Sequence, residues 1–406
     1  MVAVQGVEAR SRARANPAAP GNAVTGLAMK PVPIRARISA SARNLMLTRP
    51  ARTASALAAA RKGPLVIAGL FRTGSGIGES ARSCAGALTA SGYKPLCVDL
   101  SGAFNQIDMA PDRDLSEMPD AADGTLILHV NAPETLPALR ALSLYRRRAW
   151  RIIGCWVWEL EAAPPEWGAA THALSEIWAP SSFCVEAFRR LTDSPVRFVP
   201  YRIAPPEGVA PRKPDGRIVV LTMADGRSSL SRKNIEGAIR VFLAALGDRE
   251  DCRLIVKTRN LAEFRDGAAA LRVAAGGHPR IAFIDDSLAP IDRWRLIASA
   301  DILISLHRSE GFGLPVAEAL SLGLAVVTTG WSAVVDFTPP EFLVPYALGP
   351  VNDPSGPYAR FAESRWAEPD EAAAAALLAR VAGGASRGGA LIGNAGALSY
   401  DEALGA

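Results

Sequence analysis

From Leu65 onward, short apolar runs alternate with segments of helical periodicity. PLVIAGL (64–70) leads into a glycine-rich turn and a helix over 78–92, and KPLCVDL (94–100) and TLILHV (125–130) read as the next strands. RIIGCWVW (151–158) and VRFVP (196–200) continue the series, with helical stretches between them. The alternation restarts at RIVVLTM (217–223) and a helix over 231–246, then CRLIVKT (252–258) and RIAFI (280–284). DILISLH (301–307), a helix over 315–322 and LAVVTTG (324–330) complete the second set. Near-continuous apolar strands interleaved with helices predict parallel sheets covered on both faces. The pattern thus predicts an α/β protein of two Rossmann-like halves facing across a cleft.

The texture sets the expected boundaries. Residues 1–62 form a basic N-terminal extension without regular structure, 63–203 the first domain, and the Pro/Gly-rich APPEGVAPRKPDG (204–216) a linker. Residues 217–382 form the second domain, and the Gly/Ala/Ser-rich 383–406 reads as a tail without order. Ligands of open α/β sheets bind beyond the carboxyl ends of strands, so the turns following strands are where chemistry is expected.

Charge sharpens this division. Residues 1–62 carry eleven Lys/Arg against one acid, Glu8; with +5 overall, that +10 leaves −5 for the rest. A mildly acidic body argues against nucleic acid as a partner. The leader lacks the apolar core of a secretory signal. It reads as a disordered extension, and a weakly amphipathic stretch from Arg35 to Lys62 also permits peripheral contact with anionic lipid. No apolar run approaches the roughly 18 residues of a spanning helix. Cysteines 84, 97, 155, 184 and 252 are scattered, without a metal-ligand spacing, and read as free thiols of a reducing, cytoplasmic setting.

The richest stretch is HRSEGFGLPVAEALSLG (307–323). A buried strand ends at His307, Gly311 and Gly313 let the backbone approach a ligand, and Pro315 suits the start of a helix that Gly323 ends. Amides of Phe312, Gly313 and Leu314 at that helix start suit phosphate. Glu310 and Glu318 would repel phosphate and suit neutral hydroxyls, so together the stretch describes a nucleotide sugar. Glu318 alone reads equally as a favourable acid in a first helical turn.

SEGFGLPVAE, with seven residues between Glu310 and Glu318, resembles the E-x7-E signature of retaining glycosyltransferases of the GT-B fold, the group 1 or family 4-like enzymes. ADGRSSLSRKNIEGAIRVF (224–242) resembles the segment in which an Arg and a Lys hold the donor diphosphate; Arg227 and Lys233 match, with Arg232 an adjacent substitute and Ser231 the expected helix cap. GSGIGESAR (74–82), LHVNAP (128–133), CWVWELEAAPPEW (155–167), EIWAPSSF (176–183) and SRWAEPD (364–370) resemble a bacterial subgroup of surface-polysaccharide assembly. The helix DEAAAAALLARVA (370–382) is expected near the interdomain region, as in such enzymes.

The resemblance implies transfer of a hexose-type sugar from a GDP- or UDP-sugar to a glycan or lipid-linked acceptor, in the cytoplasm or at the inner membrane face. It implies no cofactor, the nucleotide sugar being a co-substrate, and no metal; Asp112-Arg113-Asp114 reads as a solvated loop. Glu310, Arg227, Lys233 and Glu159 are the implied catalytic set. Glu318, Gly311, Phe312, Gly313, Leu314, Lys257 and His307 are the implied donor set. Gly76, Gly78, His129 and Asn131 are expected on the acceptor side. The family's first-domain histidine is replaced by Trp156-Val157-Trp158-Glu159, so either Glu159 contacts the reacting groups or the stretch is a wall. His129 and His307 read as well as packed histidines.

RTGSGIGES (72–80) also opens a helix after a strand, with Asp99 ending the next strand 21 residues beyond Gly78. Those features fit an NAD(P)-dependent oxidoreductase, although the spacing is G-x-G-x-G. A catalytically silent sugar-nucleotide-binding protein is the other alternative.

Overall fold

The two sets of five apolar runs become two six-stranded parallel sheets, each with one strand beyond the pattern, Glu176–Ala179 in the first and Leu343–Val344 in the second. The first contains β1 (Leu65–Gly69), β2 (Leu96–Asp99), β3 (Gly124–His129), β4 (Trp150–Cys155), β5 (Glu176–Ala179) and β6 (Val196–Phe198), in the order β2-β1-β3-β4-β5-β6. Its helices are α1 (Gly76–Ala90), α2 (Ala132–Ala141), α3 (Gly168–Thr171) and α4 (Ser182–Arg189). The second sheet contains β7 (Ile218–Asp225), β8 (Cys252–Arg259), β9 (Ile281–Asp285), β10 (Ile302–Ser305), β11 (Ala325–Thr329) and β12 (Leu343–Val344), in the order β12-β11-β10-β7-β8-β9. Around it lie α5 (Leu230–Lys233), α6 (Ile235–Leu246), α7 (Arg265–Ala275), α8 (Pro290–Ala298) and α9 (Leu314–Ser321). This computed structural model describes residues 62–144, 149–353, 356–384, 391–393 and 396–405, all within the unit Leu47–Ala406. The reading of the leader falls on residues 1–61, outside the described residues.

Every strand pairing within the two sheets is parallel, with Ile67 opposite Ile127 and Leu221 opposite Ile255. Their side chains build separate cores, one around Leu126, Trp150 and Phe188 and one around Leu221, Phe242 and Ile304. Each chain reversal from one side of a sheet to the other creates a crevice. In the first sheet it lies where β1 meets β3, and in the second where β7 meets β10. The expected GT-B type of α/β architecture is therefore present, with the two crevices facing one cleft.

Three further elements follow the second sheet, and two of them return to the first half; the helix expected near the interdomain region does not. An antiparallel hairpin, β13 (Tyr346–Pro350) and β14 (Arg365–Pro369), follows the second sheet, yet its connection and Trp366 enter the core of the first. α10 (Glu371–Ala382) packs on α6 and β11, on the second sheet. The tail departs from the sequence expectation: α11 (Tyr400–Gly405) is a helix whose Tyr400, Ala403 and Leu404 are buried against the first sheet. Buried Arg151 of β4 is the reason, since its guanidinium donates to Leu404 O (2.7 Å) and Ala403 O (3.3 Å) while pairing with Glu176. The acceptors are helix-end carbonyls, which a cation satisfies well.

The helix expected over 231–246 is interrupted. Asn234 adopts the left-handed conformation (φ 50°) and its side chain accepts from Gly237 N, capping α6. Ser229, not Ser231, caps the single turn of α5 by accepting from Arg232 N. The break turns the Arg232–Lys233 pair away from the α6 surface and into the cleft.

Candidate active site

Both crevices receive the residues singled out in the sequence. β7 ends at Asp225 and feeds the turn carrying Arg227, Arg232 and Lys233; its neighbour β10 feeds the turn carrying Glu310. Across the cleft, β1 feeds Thr73–Gly78 and β3 feeds Asn131. The cleft between them has a volume of about 790 Å³.

Glu310 sits at its centre. Lys233 Nζ lies 2.5 Å from Oε1, and Arg232 Nη1 lies 3.2 Å from Oε2. Burial alone would raise this carboxyl, but Lys233 and then Arg232 outweigh it and hold it down at about 2. Arg232 is buried and also donates to Ser309 O (2.6 Å) and Ser228 O (3.1 Å). Burial would lower its guanidinium, yet Tyr358 and Glu310 drive it upward. Lys233 keeps some exposure toward the cleft. Arg227 stands at the rim, exposed and held by Glu263 at 3.0 and 2.5 Å.

Two helix N-termini meet beside this cluster. Gly313, with φ of +92°, turns the chain into α9, and a Cβ there would lie 2.5 Å from Val334. The first amides of α9 have no intrahelical acceptor and carry the positive end of its dipole. Gly76 opens α1 opposite, where a Cβ would lie 3.5 Å from Leu314. Ser75 caps α1 through Gly78 N, and Gly78 is needed because a Cβ would lie 2.6 Å from Leu70 O.

Gly311 serves a different purpose from the ligand approach expected of it. A Cβ there would collide with Val157 and lie 3.0 Å from Trp158 O, so the close neighbour is the other half of the protein. Its carbonyl accepts from Ser181 Oγ (2.8 Å) and Cys184 Sγ (3.3 Å). Phe312 packs between Tyr201 and Phe337, with tilted rings and centroids 4.6 and 5.2 Å away. These contacts fix the turn's backbone and so aim its amides.

The first-half candidates divide between cleft and core. Asn131 reaches the cleft, and its Oδ1 accepts from Val157 N (2.9 Å), anchoring the loop after β4. In that loop Trp156 and Trp158 are core, Trp158 packing on Trp167, Tyr358 and Phe361, while Glu159 faces the cleft. The tryptophans therefore form a wall, and Glu159 lies on its cleft side. His129 is fully buried behind the cleft, with Nδ1 2.9 Å from Ser80 Oγ, and burial lowers it to about 3. His307 is equally buried behind Glu310, and burial lowers it to about 4. Neither ring lines the cleft wall.

Lys257 does line it, donating to Thr258 O and Asp286 O at 2.5 Å each, and burial lowers its amine to about 8. Asp99, which a dinucleotide reading needs at a ribose, instead accepts from Ser101 N (3.0 Å) and Oγ (2.6 Å) within its own turn. Among the described residues no group of acids, histidines and cysteines could hold a metal ion.

Glu318 is the largest departure. The sequence places it at hydroxyls; the structure buries it completely on α9, with Arg293 Nη1 2.6 Å from Oε1. Burial raises its carboxyl to about 7, and Arg293 pulls it back only in part. Arg293, together with Arg259 and Arg82, lines the cleft and went unnoticed in the sequence. A cation near the start of α8 runs against that helix's dipole, the one local sign that Arg293 serves something other than its own helix. Arg259 ends β8 and bonds Asp225 (2.7 Å), a pairing that only the parallel register of β7 and β8 creates.

Residues 218–348 match the family described as "Glycosyl transferases group 1", a stretch that includes Arg227, Lys233, Glu310 and Glu318. No curated protein matches the chain. Among solved structures, HepE from Anabaena with UDP and glucose has a TM-score of 0.48 at 13% identity, covering 67% of this chain and 82% of that one. The apo lipopolysaccharide outer core galactosyltransferase WaaB gives 0.49 at 14%, over 84% and 93% of the chains. The pneumococcal O-GlcNAc transferase GtfA with UDP and GlcNAc gives 0.43 at 11%, over 64% of this chain, which spans 50% of that protein's length.

Proposed function

We propose that this protein is a retaining glycosyltransferase that moves a hexose-type sugar from a GDP- or UDP-sugar to a glycan or lipid-linked acceptor, in cell-surface polysaccharide assembly. The observation that carries the reading is the convergence of Lys233, Arg232 and Glu310 beside the N-terminus of α9. Cations and unpaired amides at one point suit a diphosphate, and a carboxylate held ionised among them suits sugar hydroxyls.

In this reading the bond between the anomeric carbon and the phosphate oxygen breaks, its electron pair going to the departing diphosphate. Lys233, with Arg227 from the rim and the amides of Phe312, Gly313 and Leu314, meets that charge as it develops. The acceptor hydroxyl attacks from the same face, and its proton passes to the departing phosphate oxygen. Glu310 orients the hexose. Glu159, with Asn131 and the turn at Gly76, lines the acceptor side. The contacts that hold Gly311 to the first half keep competing water out.

The reading places the reaction in the cytoplasm, at the inner membrane face where the acceptor is lipid-linked. Among the described residues no helix is long and apolar enough to cross a membrane. A thermal-shift comparison of UDP, GDP, ADP and NAD tests the donor class. Stabilisation by UDP or GDP is expected; stabilisation by NAD alone would replace this reading with the dinucleotide one.

A further inference from the structure

The β13–β14 hairpin lies outside both parallel sheets, and the connection between its strands is clasped on two sides. On the second half, Asp353 is buried and accepts from Ser229 Oγ (3.0 Å), the residue that caps the α5 turn, and from Tyr358 N (3.1 Å). On the first half, Phe361 packs on Trp158 with centroids 5.3 Å apart, and Arg360 pairs with Glu166 at 2.8 Å. Tyr358 stands between the two sides and is buried. Its ring centroid lies 5.7 Å from that of Trp158 and 5.8 Å from Arg232 Cζ. Its hydroxyl faces Glu159, the residue after Trp158.

Packing alone does not call for that hydroxyl. A phenylalanine ring would cover Trp158 and the guanidinium equally well. A buried phenol without a partner costs free energy, so the partner is part of what keeps a tyrosine here. Burial, and then Glu159, push the phenol well above its ordinary range, so it stays protonated and can donate. Arg232, beneath the ring, binds Glu310 and the carbonyls of Ser309 and Ser228 on the donor side. One side chain thus meets the acceptor-side carboxylate and a cation of the donor cluster, which belong to opposite halves. We propose that Tyr358 is a positioning residue that donates to Glu159 and holds this carboxylate in register with the Arg232–Glu310 pair. This role rests on the glycosyltransferase reading above, and Tyr358 itself does not line the cleft wall.

A double-substitution cycle on the full chain tests this role. The readouts are release of UDP or GDP from UDP- and GDP-hexoses and calorimetric binding of UDP and GDP. Tyr358→Phe keeps the ring and removes the donor. It should lower kcat by roughly tenfold, the scale of one lost hydrogen bond to a charged group, and leave nucleotide affinity unchanged. In the Glu159→Ala background the same substitution should bring no further loss, because the carboxylate it acts through is gone. A tyrosine that only supports the fold would instead give equal losses in both backgrounds, with weaker nucleotide binding in each. Such additive losses, or full turnover in Tyr358→Phe, would overturn the role and leave the transferase reading in place. No release from any UDP- or GDP-hexose by the unaltered chain would remove that reading, and this role with it.

Discussion

Lys233 Nζ lies 2.5 Å from Glu310 Oε1, joining the turn after β7 to the turn after β10. The two residues are 77 positions apart, and the adjacency of β7 and β10 brings them together. Arg232 is the second cation on the same carboxylate, more deeply buried and bonded to two carbonyls. The pair therefore divides into a cation facing the cleft and a cation holding the frame.

That division predicts different outcomes for neighbouring substitutions. Lys233→Ala should lower sugar-transfer turnover by roughly 10²- to 10³-fold, the scale of losing one preorganised charge at a developing anion, with native circular dichroism. Arg232→Ala should cost about 3–5 kcal/mol in urea unfolding, because it leaves a buried carboxylate and carbonyls short of a partner. Equal loss of stability in both variants would contradict the division.

The pH dependence of stability separates the two glutamates. Glu318 rises on folding from 4.5 to about 7, so the folded state holds an extra proton between those values and stability should fall as pH rises through them. Glu310 drops to about 2, so its contribution is present above 4.5 and is lost as pH falls toward 2. Chemical unfolding followed from pH 4 to 8 should show the decline, and Glu318→Gln should flatten it. An unchanged slope in that variant would assign the decline to other groups.

Gly311→Ala should loosen the joint between the halves. The added methyl meets Val157 and the Trp158 carbonyl, neither of which is a free side-chain end. A cost of about 1–3 kcal/mol is expected from overpacking, read as a lower thermal midpoint. Gly76→Ala is the control, since its methyl meets only Leu314 at ordinary contact distance.

The loop after β4 predicts a contrast between two adjacent residues. Trp158→Ala should cost about 3–5 kcal/mol by removing the ring that packs on Trp167, Tyr358 and Phe361. Glu159→Gln should leave stability nearly unchanged and lower turnover without weakening nucleotide binding. Weaker nucleotide affinity in Glu159→Gln would move that residue to the donor side.

Much of this was legible in the sequence because local chemistry carried it. The apolar runs gave ten of the twelve strands of the two sheets, Gly313 and Gly323 marked the turn and the end of α9, and the two basic and acidic motifs marked the crevices. What was not legible depends on contacts between distant segments. Arg293 gains its meaning from Glu79, more than two hundred positions away, and Gly311 from Val157 in the other half. Asn234 could have been read as a break, since asparagine tolerates the left-handed conformation, but the strong helical pattern around it hid the signal. The tail looked too rich in Gly and Ala to fold; Arg151 and the first sheet supply the donors and apolar surface that it lacks alone.

Turnover of a nucleotide sugar in the cleft is the activity proposed for this protein. The most direct measurement incubates the full chain with UDP- and GDP-hexoses, with and without glycan and lipid-linked acceptors, and quantifies released UDP or GDP. Release is expected from at least one donor, increased by an acceptor, with the anomeric configuration kept in the product and the activity lost in Lys233→Ala. Release unchanged in Lys233→Ala, or none from any UDP- or GDP-hexose that the protein binds, would contradict it.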